Sequence, residues 1–188
     1  VWMHGRTVSK ELDPGRYLRW VRAGIAAVAL DLPGHGERFD AALQAPDRTL
    51  DVLERMLGEV DAVTDALSAR EYEGVLDVGR MGIGGMSAGG MVALRRLCEG
   101  HEFSCAAVEG TTGWLEGLYL AGGKTPWGAT HDPGRVRALD AMSRLSGWRP
   151  IPLLALHSRA DEVVPVATQE RFVEAVRARC MEAGADPG

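Results

Sequence analysis

Short apolar runs alternate with longer amphipathic stretches along this chain, and that alternation predicts a repeated strand-helix unit. Val1-Trp2-Met3 has the character of the tail of a buried strand and runs directly into His4-Gly5, so the amino end is expected to have been trimmed. Asp13-Pro14 predicts a helix start, with Asp13 as cap and Pro14 in the first turn. Tyr17, Leu18, Trp20 and Val21 give that helix an apolar side, and Gly24 closes it. Residues 25–30 are wholly apolar, as expected of a strand buried on both faces, and Leu32-Pro33-Gly34-His35-Gly36 follows as a loop. Asp47 or Thr49 opens the longest helix, in which Leu50, Leu53, Leu57, Val60, Val63 and Leu67 recur every three or four positions. Gly58 lowers the helix propensity inside it. Residues 81–86 predict a strand, 88–97 a helix with small residues near its start, and 103–108 and 151–156 two more buried strands. Residues 166–181 predict a last helix with Phe172, Val173 and Val176 on one side.

Between the last two strands lies an excursion over about 110–149 carrying Trp114, Leu115, Leu118, Tyr119, Trp127 and Trp148. Within it, Asp132-Pro133 starts a helix expected over 135–145. Placed over the strand ends, these aromatics form part of a lid or acyl pocket, or else pack the excursion onto the body. The order of elements predicts one α/β domain over 1–188, with a mainly parallel sheet and helices on both faces. Ligands in such sheets bind beyond the carboxyl ends of the strands. His4, His35, Ser87, Gly110 and Asp161 all fall at or just past such ends.

Composition narrows the function. The 188 residues suffice for one domain with a core, and a net charge of −5 without a long basic run or interleaved aromatics excludes a nucleic-acid surface. No stretch reaches the roughly 18–20 apolar residues of a membrane span. Cys98, Cys105 and Cys180 lack metal-like spacing and predict mostly core thiols in a reducing, cytoplasmic compartment, with one free reactive thiol left open. No grouping of His, Asp and Glu suggests a metal, and no organic cofactor is implied. The number of subunits stays open.

The candidate chemistry centres on Gly85-Met86-Ser87-Ala88-Gly89-Gly90, which follows a predicted strand and opens a predicted helix. That is the context of a nucleophilic serine held on a sharp turn, with glycines where a side chain would crowd it. With 24 glycines in the chain the pattern alone is weak, so its neighbours decide. A nucleotide-binding sheet is excluded on detail: Gly82-Ile83-Gly84-Gly85 lies inside the strand run and no Lys-Ser/Thr phosphate loop accompanies it.

Four segments occur in a familiar order: His4-Gly5-Arg6-Thr7, Asp31-Leu32-Pro33-Gly34-His35-Gly36, the serine turn, and His157-Ser158-Arg159-Ala160-Asp161-Glu162-Val163-Val164-Pro165. With them the chain resembles the alpha/beta-hydrolase superfamily, and within it the dienelactone-hydrolase and prolyl-oligopeptidase-like esterases. The resemblance runs from the third strand of the usual eight to the helix before the last, so the first strands and the last strand are expected outside residues 1–188. It implies Ser87 as nucleophile and Asp161 as the acid that orients the base, with Glu162 as its adjacent backup. It also implies an oxyanion hole from the backbone N–H groups of Ala88 and Arg6, each worth about 3 kcal/mol of barrier. The Arg6 guanidinium either holds a substrate carboxylate or pairs with an acidic residue of the body. The base is the missing part. The family's histidine follows the acid, whereas none of the five histidines here follows His157. His4, His35 and His157 match loop-shaping histidines, His101 lies at the far end of the helix after Ser87, and His131 alone is free to swing over the pocket. A final strand and a histidine-bearing loop are therefore expected beyond Gly188.

The activity implied is hydrolysis of a small to medium carboxylic ester through an acyl-enzyme on Ser87, with Trp114, Tyr119 and Trp127 as weak indications of an apolar acyl pocket. A serine nucleophile counts against the cyclic-ester hydrolases, whose best-known members use cysteine. A peptidase of the same superfamily, or a non-catalytic binding or assembly module of hydrolase fold, are the alternatives.

Overall fold

Asp13 begins the first helix as its sequence dictates: its carboxylate accepts the Arg16 N–H at 3.0 Å, and Pro14 occupies the first turn. The computed structural model describes residues 1–122 and 125–186, and their elements alternate along the chain. They are β1 (Trp2–Met3), α1 (Pro14–Arg22), β2 (Ala29–Leu30), α2 (Thr49–Leu67), β3 (Gly82–Met86), α3 (Ala88–Arg96), β4 (Cys105–Glu109), α4 (Leu115–Tyr119), α5 (Pro133–Leu139), β5 (Leu153–Leu156) and α6 (Val166–Glu182). The strands form a single sheet in the order β2-β1-β3-β4-β5, and every pairing is parallel. This is the α/β-hydrolase type of sheet expected from the sequence.

Register sets what each face of the sheet carries. Trp2 pairs with Gly84, Gly84 with Ala107 and Ala107 with Leu154, so these residues share one face. Met3, Gly85, Val108 and Ala155 share the other by the same pairing. Helix α3 packs on the second face so tightly that all nine of its residues are buried. A Cβ on Gly85 would stand 2.5 Å from Gly89 C of α3, so only glycine permits the approach of strand and helix there. Helix α1 lies on the first face, where Trp20 meets Trp2 edge-on at 5.6 Å.

Several boundaries and burials differ from expectation. The 25–30 run is not a strand buried on both faces: pairing is confined to Ala29–Leu30, β2 is an edge strand, and Ile25 is exposed. Leu18 and Val21 of α1 and Leu154 and Leu156 of β5 are also exposed, because α1 covers only part of its face. The α2 stripe holds at Leu50, Leu53 and Val60, joined by Val52 and Met56, but Leu57, Val63 and Leu67 are only half-buried. The helix expected over 135–145 ends at Leu139. Asp140 leaves the helical region there, and its carboxylate accepts the N–H groups of Leu115 and Ser143 instead. No helix among the described residues is long and apolar enough to cross a membrane.

Candidate active site

Strand β3 ends at Met86, and the next residue turns the chain abruptly. Ser87 adopts φ 49° and ψ −117°, a conformation a side chain tolerates only when its surroundings impose it. They do so from three directions: Ser87 N–H donates to Glu109 O at 2.9 Å, Met91 N–H donates to Ser87 O at 2.9 Å, and the Thr111 hydroxyl donates to the same carbonyl at 2.7 Å. Gly89 N–H donates to His4 O at 3.1 Å, which ties the start of α3 to the loop after β1. The Ser87 hydroxyl itself has no hydrogen-bond partner among the described residues, and it faces a cleft of about 610 Å³.

Asp161 lines that cleft from the loop after β5. One oxygen, Oδ1, is held by the N–H groups of Val163 and Val164, both at 2.9 Å. The other, Oδ2, lies 3.5 Å from His157 Nε2, which already donates to Val164 O at 2.7 Å. One oxygen therefore fixes the carboxylate while the other remains open to a further N–H donor. Gly110, at φ 52°, closes the floor: a Cβ there would stand 3.4 Å from Asp161 Oδ2.

Beside Ser87 the cleft narrows to a crevice of about 10 Å³, room for one water or one oxygen, whose lining includes Arg6, Thr49, Ala88, Tyr119 and Trp127. The backbone N–H groups of Ala88 and Arg6 find no acceptor among the described residues. Ala88 begins α3, so the unpaired N–H groups and dipole of that helix add positive potential at the crevice. Among the described residues, the Arg6 side chain does not form the ion pair with an acidic residue that is one of the two expectations for it. It is buried, its carboxylate neighbours stay beyond ion-pair distance, and it donates to a hydroxyl and three backbone carbonyls. Burial holds its pKa below the usual arginine range.

Of the three aromatics, Tyr119 and Trp127 line the crevice, and Trp127 also lines the open cleft. Trp114 lines neither; it packs over Gly117 against the core. Burial raises the Tyr119 phenol, which therefore stays protonated through the neutral range.

Residues 17–185 match the model of the prolyl oligopeptidase family. The chain belongs to that family of serine hydrolases. Among solved structures it is similar to TT1662 from Thermus thermophilus, at 26% identity with a TM-score of 0.73 over 95% of this chain and 73% of that one. It is similar to a puromycin hydrolase at 25% identity and TM-score 0.66, over 95% of this chain and 28% of that one. Similarity to the acylaminoacyl peptidase of Pyrococcus horikoshii, at 18% identity and TM-score 0.69 over 98% of this chain and 30% of that one, concerns the fold alone. The chain thus spans about three tenths of the length of these two larger relatives. No curated protein matches it.

None of the five histidines hydrogen-bonds the Ser87 hydroxyl, although His157 lines the same cleft. His4 donates from Nδ1 to Gly5 O at 2.6 Å and accepts the Leu32 N–H at 3.0 Å, which shapes the two loops. His35 donates to Pro33 O at 2.9 Å. His101 accepts the Phe103 N–H far from the cleft. His131, expected to be free to swing, is instead set edge-on against Tyr119 with centroids 4.6 Å apart. Cys98 and Cys180 are buried, and burial pushes the Cys98 thiol up to about 12, whereas Cys105 is exposed.

Sequence reasoning missed Thr111, which braces Ser87, and Glu109, which lines the cleft while its carboxylate is held by Arg16 at 2.5 Å. The one available signal was their position at and just after the carboxyl end of β4.

Proposed function

We propose that this chain carries the acyl-transfer site of an esterase, with Ser87 as nucleophile. One observation carries the reading: Ser87, in a strained turn with its hydroxyl unpartnered, shares a cleft with the open oxygen of Asp161 and a one-oxygen crevice with two acceptor-free N–H groups. Acyl transfer needs those parts in that relation. Ser87 Oγ attacks the ester carbonyl and gives up its proton to an imidazole that Asp161 Oδ2 orients. The carbonyl oxygen, now anionic, enters the crevice between the N–H groups of Ala88 and Arg6. Collapse expels the alcohol with that proton, and water then releases the acid from the Ser87 ester by the same route. In the family resemblance the imidazole belongs to a histidine that follows the acid segment. Tyr119 and Trp127 wall the acyl side, and the open cleft takes the leaving group.

Amide substrates are the second reading, favoured by the puromycin hydrolase among the similar structures. An ester asks less of the site, since an alkoxide leaves with less help from an acid than an amine does.

The test is the intact mass of the full-length protein with a fluorophosphonate, followed by rates on a matched ester and anilide. The expected outcome is one adduct per chain, none in Ser87→Ala, and a larger kcat/KM for the ester. A faster anilide would move the assignment to the peptidase branch. No adduct at all would leave a binding module of hydrolase fold.

A further inference from the structure

We propose that the Arg6 guanidinium is a positioning group for the oxyanion hole: it clasps the loop that carries its own backbone N–H. The inference rests on the reading of Ser87 as nucleophile and of the Arg6 N–H as a hole donor.

The terminal nitrogens of this side chain are all engaged by the protein itself. Nη1 donates to Thr49 Oγ1 at 2.7 Å, and Nη2 donates to the carbonyls of Leu43, Gln44 and Ala45 at 2.9, 2.8 and 3.2 Å. The Thr49 hydroxyl donates in turn to Pro46 O at 2.7 Å, so its proton is committed and a lone pair faces Arg6. Thr49 is the first residue of α2. The guanidinium therefore ties the loop after β1 to residues 43–49 and to the start of the longest helix. A surface arginine would spend such a fork on carboxylates; this one, 6% exposed, spends it on neutral oxygens and on no ion pair. Only a group with several donors in one rigid plane can bind three converging carbonyls and a hydroxyl at once.

The backbone beside it needs such a clasp. Thr7 stands at φ 64°, in the left-handed region that a β-branched residue seldom enters. Such a conformation persists where neighbouring contacts over-determine it. His4 Nδ1 donates to Gly5 O at 2.6 Å, which holds the peptide that carries the Arg6 N–H; Thr7 Oγ1 donates to Arg6 O at 2.7 Å, which holds the next peptide, and the buried guanidinium anchors the residue between them. Between them the Arg6 N–H is aimed without an acceptor in the ground state. A donor set in place before the reaction contributes most to the barrier, and a misplacement of about 1 Å can cost on the order of 100-fold in rate. The guanidinium charge, unpaired and within the wall of the crevice, adds to the potential that favours an oxyanion.

The experiment compares Arg6→Met, Arg6→Lys and Thr49→Val with wild type in the full-length protein. The rate on an ester is divided by the number of sites that a fluorophosphonate titrates, so loss of folded protein does not enter. Arg6→Met is expected to lower kcat per site by about 10–100-fold with KM within about threefold. Arg6→Lys, which keeps the charge and loses the fork, should fall between it and wild type. Thr49→Val, which removes one of the four Arg6 contacts together with the hydrogen bond to Pro46 O, should cost about 2–5-fold. The affinity of a boronic acid that mimics the tetrahedral state should fall by the same factors, which a role in folding alone would not produce. Per-site kcat within twofold of wild type in Arg6→Met overturns the proposal; if that variant does not fold, wild-type values in both other variants overturn it. Labelling that survives in Ser87→Ala refutes the nucleophile itself and is thereby distinct from failure of the clasp.

Discussion

The two faces of one sheet are covered differently. On the face beneath α2, α3 and α6, Met3, Ile83, Ala106 and Val108 are buried to 5% exposure or less. On the face that α1 shares, Leu154 and Leu156 are 55% and 50% exposed, and a groove of about 830 Å³ runs past Trp2, Trp20, Ile25, Val28 and Val75. The difference teaches that burial at a strand is decided by what lies over it and not by its own side chains. It also divides the labour of the site. The covered face supplies the rigid parts, the Ser87 turn and the Arg6 loop, while the α1 face supplies Glu109 at the cleft, held by Arg16 stacked on Trp2 at 4.2 Å.

The contrast breaks most violently at Gly89. Its Cβ would lie 2.6 Å from His4 O, with the backbone of Met3 still closer, and neither can retreat without parting α3 from β1. Gly89→Val is expected to cost about 3 kcal/mol or more in urea unfolding and to abolish labelling of Ser87. A folded, reactive variant would mean that the approach of helix and strand is looser than described.

A matched pair sharpens the comparison at smaller cost. Ile83→Ala removes a side chain that is 2% exposed and leaves a cavity, so a loss of about 2–4 kcal/mol is expected. Leu154→Ala, two strands away on the half-open face, should cost under about 1 kcal/mol, because water already reaches most of that side chain. Equal losses by chemical denaturation would show that the α1 face is covered in solution, as by a second copy or further chain.

That pair also marks how far the sequence could be read. The serine turn was legible because its glycines, serine and flanking strand lie within a few residues, and the structure reproduces β3 and α3 almost residue for residue. The faces were not, since an apolar run such as 151–156 reads the same whether or not a helix lies over it. The end of α5 was hidden for a related reason: Asp140 stops the helix to cap N–H groups 25 residues earlier, a competition no local propensity reveals. The Arg6 clasp was hidden most deeply, because its three carbonyl acceptors belong to the main chain and leave no mark on residue type.

The smallest expected effect lies at the rim where the two faces meet. His4 and His35 are buried with their rings 5.5 Å apart, and burial holds both below the ordinary histidine value of 6.5. In the native protein they stay neutral, whereas in the unfolded chain they take up protons near 6.5. The unfolded state therefore binds more protons below that value, so the stability these residues contribute is full above about pH 6.5 and is lost as pH falls through it. Carboxyl groups at their ordinary values, near 4, protonate below this window. The melting temperature should thus hold steady from pH 8 to 7 and decline from 6.5 to 5. His35→Asn should flatten that slope while lowering the plateau, because the Pro33 carbonyl loses its donor. A slope unchanged in the variant would assign the decline to the other histidines that burial holds below 6.5, His4, His101 and His131, and a melting temperature that rises on acidification would show that the pair carries a proton when folded, contrary to its burial.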